Sequence, residues 1–188
     1  MPDKPLQGMR VAALVANDFE QVELAEPMKA LREAGAEVDI VSPETGKVQG
    51  MNHDVKADEF PVDVPLDQAD PSQYDAALLP GGALNPDKLR SLPKAREFVH
   101  VMDDAGKPIA VICHGPWTLV SAGLVRGRTL TSWPSIQDDI KNAGGNWVDR
   151  EVVVDRNWVS SRMPRDIPAF NREMINLFAS ATRQRKAA

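Results

Sequence analysis

A single cysteine, three histidines and one tyrosine are all that 188 residues offer of those types. No disulfide can close within such a chain, and no second cysteine is present to begin a zinc site. Neither staple is needed, because a chain of this length removes roughly 70% of its unfolded surface from water on folding. Positive charge is also short. With 22 Lys plus Arg against 27 Asp plus Glu the net charge is -5, and the basic residues are scattered, so a phosphate-tracking surface is missing and nucleic acid is not an expected partner. Apolar runs such as Val11 to Ala16 and Ile109 to Cys113 fall far below the ~20 residues that span a bilayer, so no membrane span is expected. Met1 to Met9 holds two prolines, Asp3 and Lys4 but no hydrophobic stretch, and it does not read as a secretory signal. A cytoplasmic location is the expectation. No Gly-x-Gly-x-x-Gly follows a strand and no phosphate loop is present, so neither a cofactor nor a metal is called for.

What the chain does have is 43% hydrophobic and 26% charged residues, the balance of one globular domain. Arg10 to Ala16 is an unbroken apolar run that suits a strand buried on both faces of a parallel sheet. From Phe19 to Ala34, Val22, Leu24, Ala25, Met28 and Leu31 recur at helical spacing, with Asp18 as the expected N-cap and Gly35 just past the end. Glu37 to Val41 completes a βαβ unit. Ser42 to Asp70, broken by Gly46, Gly50, Pro61 and Pro65, reads as a hairpin and a long loop. Strands follow at Tyr74 to Leu79 and Pro108 to Ile112, helices at Pro93 to Ala105, Thr118 to Ala122, Pro134 to Ala143 and Ile167 to Phe178, and a hairpin turns at Asp155-Arg156-Asn157. Alternating strands and helices predict an α/β three-layer sandwich with a mostly parallel sheet. We expect one domain over residues 9–179, with residues 1–8 and 180–188 as flexible termini.

In open α/β sheets, sites form beyond the carboxyl ends of the strands. Asn17 to Glu23, Pro80 to Asp87 and Cys113 to Trp117 collect there. Cys113 stands on a strand-to-helix turn, where helix amides and the positive end of a helix dipole favour a thiolate and lower its pKa. Gly115 leaves room for the turn and Pro116 suits a first helical turn. The plainer reading of a lone cysteine is a buried apolar residue, and its place at the strand end argues against that. Of the three histidines, His100 lies in an amphipathic helix, His53 sits in an irregular loop, and His114 is next to the cysteine. His114 then needs an acid to hold its ring. Asp18, Glu20, Glu23 and Asp87 are the candidates, each with the alternative role of stabilising a helix N-terminus. Glu20 and Glu23 share a helix face, and either can point over the sheet's end. An ionised carboxylate beside Cys113 would oppose a thiolate, so a buried Glu23 would have to be neutral. Pro80-Gly81-Gly82 brings backbone amides close, and those of Gly82 and His114 are candidates for an oxyanion hole. Trp117, Trp133, Trp147 and Trp158 read as core or interface anchors, with Trp117 the one expected near the pocket.

Four stretches in order, Ala16-Asn17-Asp18-Phe19-Glu20-Gln21-Val22-Glu23, Leu79-Pro80-Gly81-Gly82, Ile112-Cys113-His114-Gly115-Pro116, and Glu151 to Asp155 leading to Trp158-Val159-Ser160-Ser161-Arg162, resemble the ThiJ/PfpI family of the class I glutamine-amidotransferase-like superfamily. The resemblance covers about Met9 to Phe178. It implies a flavodoxin-like sandwich, Cys113 as nucleophile with His114 as partner, a Glu23 that contacts the cysteine, and an oxyanion amide from Gly82. It also implies a third acid supplied by a neighbouring subunit, which maps onto Asp87, an aspartate where members often carry glutamate. The expected function is that of an intracellular, stress-related, cysteine-dependent hydrolase of the peptidase or deglycase/glyoxalase kind, acting on a small carbonyl or peptide substrate as a dimer or hexamer. The alternative is a redox-responsive stress protein or chaperone with little turnover. Glutaminase chemistry is disfavoured because no histidine follows His114.

Overall fold

The structure is a computed structural model that describes residues 4–187. The chain begins with β1 (Arg10–Leu14) and a two-residue β2 (Phe19–Glu20), then α1 (Gln21–Glu33) and β3 (Glu37–Ser42). The hairpin β4 (Lys47–Asn52) and β5 (Val55–Pro61) follows, with β6 (Val64–Pro65) and β7 (Ala76–Leu79) after it. Next come α2 (Leu84–Ser91), α3 (Pro93–Asp104), β8 (Ile109–Ile112), α4 (Pro116–Ser121), β9 (Thr129–Leu130), α5 (Gln137–Asn142) and β10 (Asn146–Trp147). The hairpin β11 (Val152–Asp155) and β12 (Trp158–Ser161) leads into α6 (Ile167–Ala187).

Seven strands form the central sheet in the order β11-β12-β8-β7-β1-β3-β6, and only β11 runs against the others. Their period of two sorts the side chains. Val11, Ala13, Val38, Ile40, Leu78, Ala110 and Val159 face α1 and α6, where Leu24, Met28, Phe170, Met174 and Phe178 fill the core. Ala12, Leu14, Ala77, Leu79, Ile109, Val111 and Trp158 face the other layer, against Leu89, Phe98, Val99, Met102 and Ile140. This is the flavodoxin-like three-layer α/β sandwich. Among the described residues no helix is long and apolar enough to cross a membrane.

Several elements depart from expectation for local reasons. Asp18 does not cap α1. It sits in the left-handed region at φ 63°, and Phe19–Glu20 first pair in parallel with Gly50 and Met51 of β4, so the helix starts at Gln21. Phe19, packed edge-on against Phe60 at 5.6 Å, anchors that detour. The stretch after the double glycine is not a loop but α2, whose Pro86 falls in the first turn, where no amide needs an intrahelical partner. Leu6 is buried and its N–H donates to Ala34 O, so residues just before β1 are packed against the body. At the other end α6 continues past Phe178 to Ala187.

Candidate functional site

The three segments singled out in the sequence end on neighbouring strands. Asn17 to Glu23 follows β1, Pro80 to Asp87 follows β7, and Cys113 follows β8, and these strands lie side by side. Cys113 takes φ 62°, a left-handed conformation that costs a non-glycine residue energy and throws its side chain out of the strand's path. The surroundings hold it there. Its N–H donates to Ser161 O at 3.1 Å, and its carbonyl accepts from Trp133 N at 2.9 Å. Gly115 is required two residues on, because a Cβ there would lie 2.7 Å from Leu79 O and 2.9 Å from Ile112 O.

Around the sulfur, His114 Nδ1 lies 3.2 Å from Cys113 Sγ, and the amides of Gly82 and His114 point at the same atom. Burial holds the His114 ring below its ordinary pKa, so it is neutral and able to accept a proton at Nδ1. The ring is fixed between Trp117, 5.2 Å away, and Trp133, which stacks on it at 5.9 Å and 22°. Glu23 has no exposed surface. Its Oε2 accepts from Gly81 N at 3.0 Å, while Oε1 has no hydrogen-bond partner. Burial pushes Glu23 from its ordinary 4.5 up to about 8, against the opposing pull of Cys113 and the Gly81 and Gly82 amides. Burial therefore favours the neutral form of Glu23.

The thiol itself departs from expectation. Burial pushes the Cys113 thiol up, and the amides of Gly82 and His114 only partly counter this. Helix α4 has six residues and begins beyond Gly115, so its dipole does not govern the sulfur. All three shifts run towards the uncharged forms of Cys113, His114 and Glu23.

Gly81 is squeezed between Cys113 and Glu23, and a Cβ there would overlap both. Gly82 has φ +77° and no room for a side chain against Glu20 N and Asp18 O. Asn85, unforeseen in the sequence, locks this loop. Its Oδ1 accepts from Ala16 N at 2.7 Å, and its Nδ2 donates to Pro80 O and Gly81 O at 3.1 and 3.0 Å. The only sequence signal was an asparagine directly before a proline, a common helix-start pattern.

A cavity of about 470 Å³ opens over Cys113. Glu20, Glu23, Gly82, His114, Asp18 and His53 all line it, so most of the candidates do meet. His53, at φ 57° in the β4–β5 turn, donates its N–H to Glu20 Oε2 at 3.1 Å. Asp87 does not line this cavity. It faces an adjoining depression with Asn17, Asp18, Glu44 and Lys88. His100 pairs with Asp104 on the surface of α3. Trp133 takes the place foreseen for Trp117: it lines the cavity, whereas the Trp117 indole N–H is tied to Asp139 at 2.8 Å.

The profile of the DJ-1/PfpI family matches residues 9–177. The chain belongs to that family. Among the relatives of this DJ-1/PfpI protein, deglycase PH1704 of Pyrococcus horikoshii is 49% identical over 170 residues, covering 90% of this chain and 99% of its own. Protein/nucleic acid deglycase 2 of Escherichia coli is 40% identical over 173 residues, 91% of this chain and 98% of its own. Among solved structures, a two-domain protein from Anabaena variabilis with DJ-1/ThiJ/PfpI-like and ferritin-like domains superposes with a TM-score of 0.83 at 32% identity. That match covers 89% of this chain and 47% of the longer one.

Proposed function

We propose that this protein is a PfpI-type cysteine-dependent hydrolase whose Cys113 adds to the carbonyl carbon of a small carbonyl compound or carbonyl adduct. The observation that carries the reading is the sulfur of a left-handed strand-end cysteine, 3.2 Å from a half-buried histidine, on the floor of an open cavity. Addition forms an S–C bond as the thiol proton passes to His114 Nδ1 and the carbonyl π pair moves to oxygen. The Gly82 and His114 amides face the reacting centre and suit the growing negative charge. Protonated Glu23 adds no charge to oppose the thiolate and has a proton to donate towards it. In this reading His114 returns its proton to that oxygen, leaving a neutral tetrahedral hemithioacetal, and Asp87 reaches His114 across an interface between copies in the cytoplasm. The deglycase names of relatives at 40 to 49% identity, one of them a protein/nucleic acid deglycase, favour a carbonyl adduct over a peptide bond as the reacting group.

The test is methylglyoxal consumption by reduced wild type and Cys113→Ala, with casein hydrolysis in parallel. Turnover of the aldehyde that falls by about 10³-fold or more in the variant is the expected result. Cleavage of casein alone would move the reading to a peptidase. Consumption of neither, with Cys113 oxidised readily by peroxide, would replace it with a redox role.

A further inference from the structure

The Gly81 and Gly82 amides, which face Glu23 and Cys113, belong to peptide units whose far ends are held by one side chain. A trans peptide unit is planar, with its C=O and N–H pointing opposite ways, so whatever fixes the oxygen also aims the hydrogen. Pro80 C=O and Gly81 N–H form one unit: the oxygen accepts from Asn85 Nδ2 at 3.1 Å, and the N–H donates to Glu23 Oε2 at 3.0 Å. Gly81 C=O and Gly82 N–H form the next. Its oxygen accepts from the same Nδ2 at 3.0 Å, and its N–H points at Cys113 Sγ. Successive amides turned to one side make a concave surface that suits negative charge, and Asn85 clamps both from behind.

The loop has little stiffness of its own, because a peptide unit between two glycines turns over at small steric cost. Asn85 removes that freedom. It is fully buried, and its Oδ1 accepts from Ala16 N at 2.7 Å just past β1, so it is anchored on the sheet rather than on the loop it holds. Its orientation follows from its partners, since a backbone N–H only donates and a carbonyl only accepts.

We infer that Asn85 is a positioning residue: by holding the Pro80 and Gly81 carbonyls it aims the Gly81 amide at Glu23 and the Gly82 amide at Cys113, and thereby sets the reactivity of the sulfur. Its consequence for carbonyl addition rests on the hydrolase reading, whereas its effect on the sulfur does not and is measured without turnover.

Two variants test it, compared with wild type in the rate of Cys113 alkylation by iodoacetamide between about pH 6 and 9, on protein shown to be folded by circular dichroism. Asn85→Leu keeps the shape of the side chain, removes both donors and adds no charge, while Asn85→Ser is too short to span both carbonyls. Loss of the Gly82 donor should raise the thiol pKa by about one unit, removing about tenfold of the thiolate and making the remainder about threefold more nucleophilic. Alkylation is therefore expected to slow by about three- to fivefold, and kcat for methylglyoxal to fall by about tenfold or more with KM little changed. A residue that merely supports the loop predicts the opposite sign, because loosening exposes the buried sulfur and speeds alkylation. Asp103→Ala is the control for lost stability, since Asp103 bonds Asn157 beside Ile109 at the other end of β8, and its alkylation rate is expected to match wild type. Alkylation unchanged or faster in the folded Asn85 variants would overturn the inference, and one variant decides it where the other does not fold. Slower alkylation in a protein that consumes no carbonyl compound would uphold the positioning role and sink the hydrolase reading alone.

Discussion

Two carboxyl groups, the buried Glu23 and the half-buried Asp103, sit at opposite ends of the same sheet and are treated in opposite ways. Asp103, at the end of α3, is surrounded by donors: its Oδ1 accepts from Arg128 at 2.7 Å, Asn157 Nδ2 at 2.9 Å and Trp158 Nε1 at 2.7 Å. Arg128 in turn lies 4.2 Å from the Trp158 ring centre and donates to Asn157 Oδ1. Glu23 Oε2 accepts from the Gly81 amide, Oε1 has no hydrogen-bond partner, and the Gly82 amide and the Cys113 thiol lie beside the carboxyl. The first cluster ties the β12 hairpin to α3 and to the start of β8, and every strong charge in it is matched. The second leaves a proton where a charge would be, and that proton is available to Cys113. A buried polar group whose partners are complete serves stability, whereas one left short of partners is poised for chemistry.

Removing Asp103 tests the first half of the contrast and is expected to have the largest effect. Arg128, with 8% of its side chain exposed, would be left inside without its counter-charge. Asp103→Ala should cost about 3–5 kcal/mol in denaturant unfolding, while kcat/KM of the folded fraction stays unchanged. A loss below 1 kcal/mol would mean that the network contributes little and that the contrast with Glu23 is one of geometry only.

Glu23→Gln tests the second half. Its folded pKa of about 8 lies above the ordinary 4.5, so the folded state keeps the proton that the unfolded chain gives up. The stability this contributes is complete below pH 4.5 and is lost as pH rises towards 8, at up to about 1.4 kcal/mol per pH unit. Gln cannot ionise, so the variant's stability curve should be flatter across that window, and its activity should lack a fall near pH 8. Parallel stability curves for the two proteins would show that Glu23 does not titrate as a buried acid.

The sequence makes one end of this comparison legible and hides the other. Cys113, His114, Glu20, Glu23 and Gly82 could be read because each lies at a turn following an apolar run, and the parallel sheet forces those turns to one edge. The alternation of strands and helices gave the sandwich for the same reason. The Asp103 cluster was not readable. Asp103's partners lie 25 to 55 residues from it, and nothing about an aspartate at the end of a helix tells which arginine it will meet. Asn85 and α2 were hidden by the proline and glycines around them, which spell a loop until the register of β7 against β1 is known. Trp133 and Trp117 were interchangeable on paper. What separates them is a backbone bond, Trp133 N–H to Cys113 O, that fixes one indole over the cavity.

The smallest expected effect gives the sharpest control, because Asp104 is the next residue after Asp103. It stands on the solvent side of α3, paired only with His100 Nδ1 at 3.0 Å across one helical turn, and both side chains are more than half exposed. Such a pair gains little in water, since solvent screens it and two mobile side chains must be held still. Asp104→Ala should therefore change stability by less than about 0.5 kcal/mol, measured beside Asp103→Ala under the same conditions. The two substitutions remove the same carboxylate from adjacent positions of one helix, so propensity and net charge change alike. If their costs were similar, burial and partner count would not be what distinguishes the cluster at α3, and Glu23 could not be read by its want of partners either.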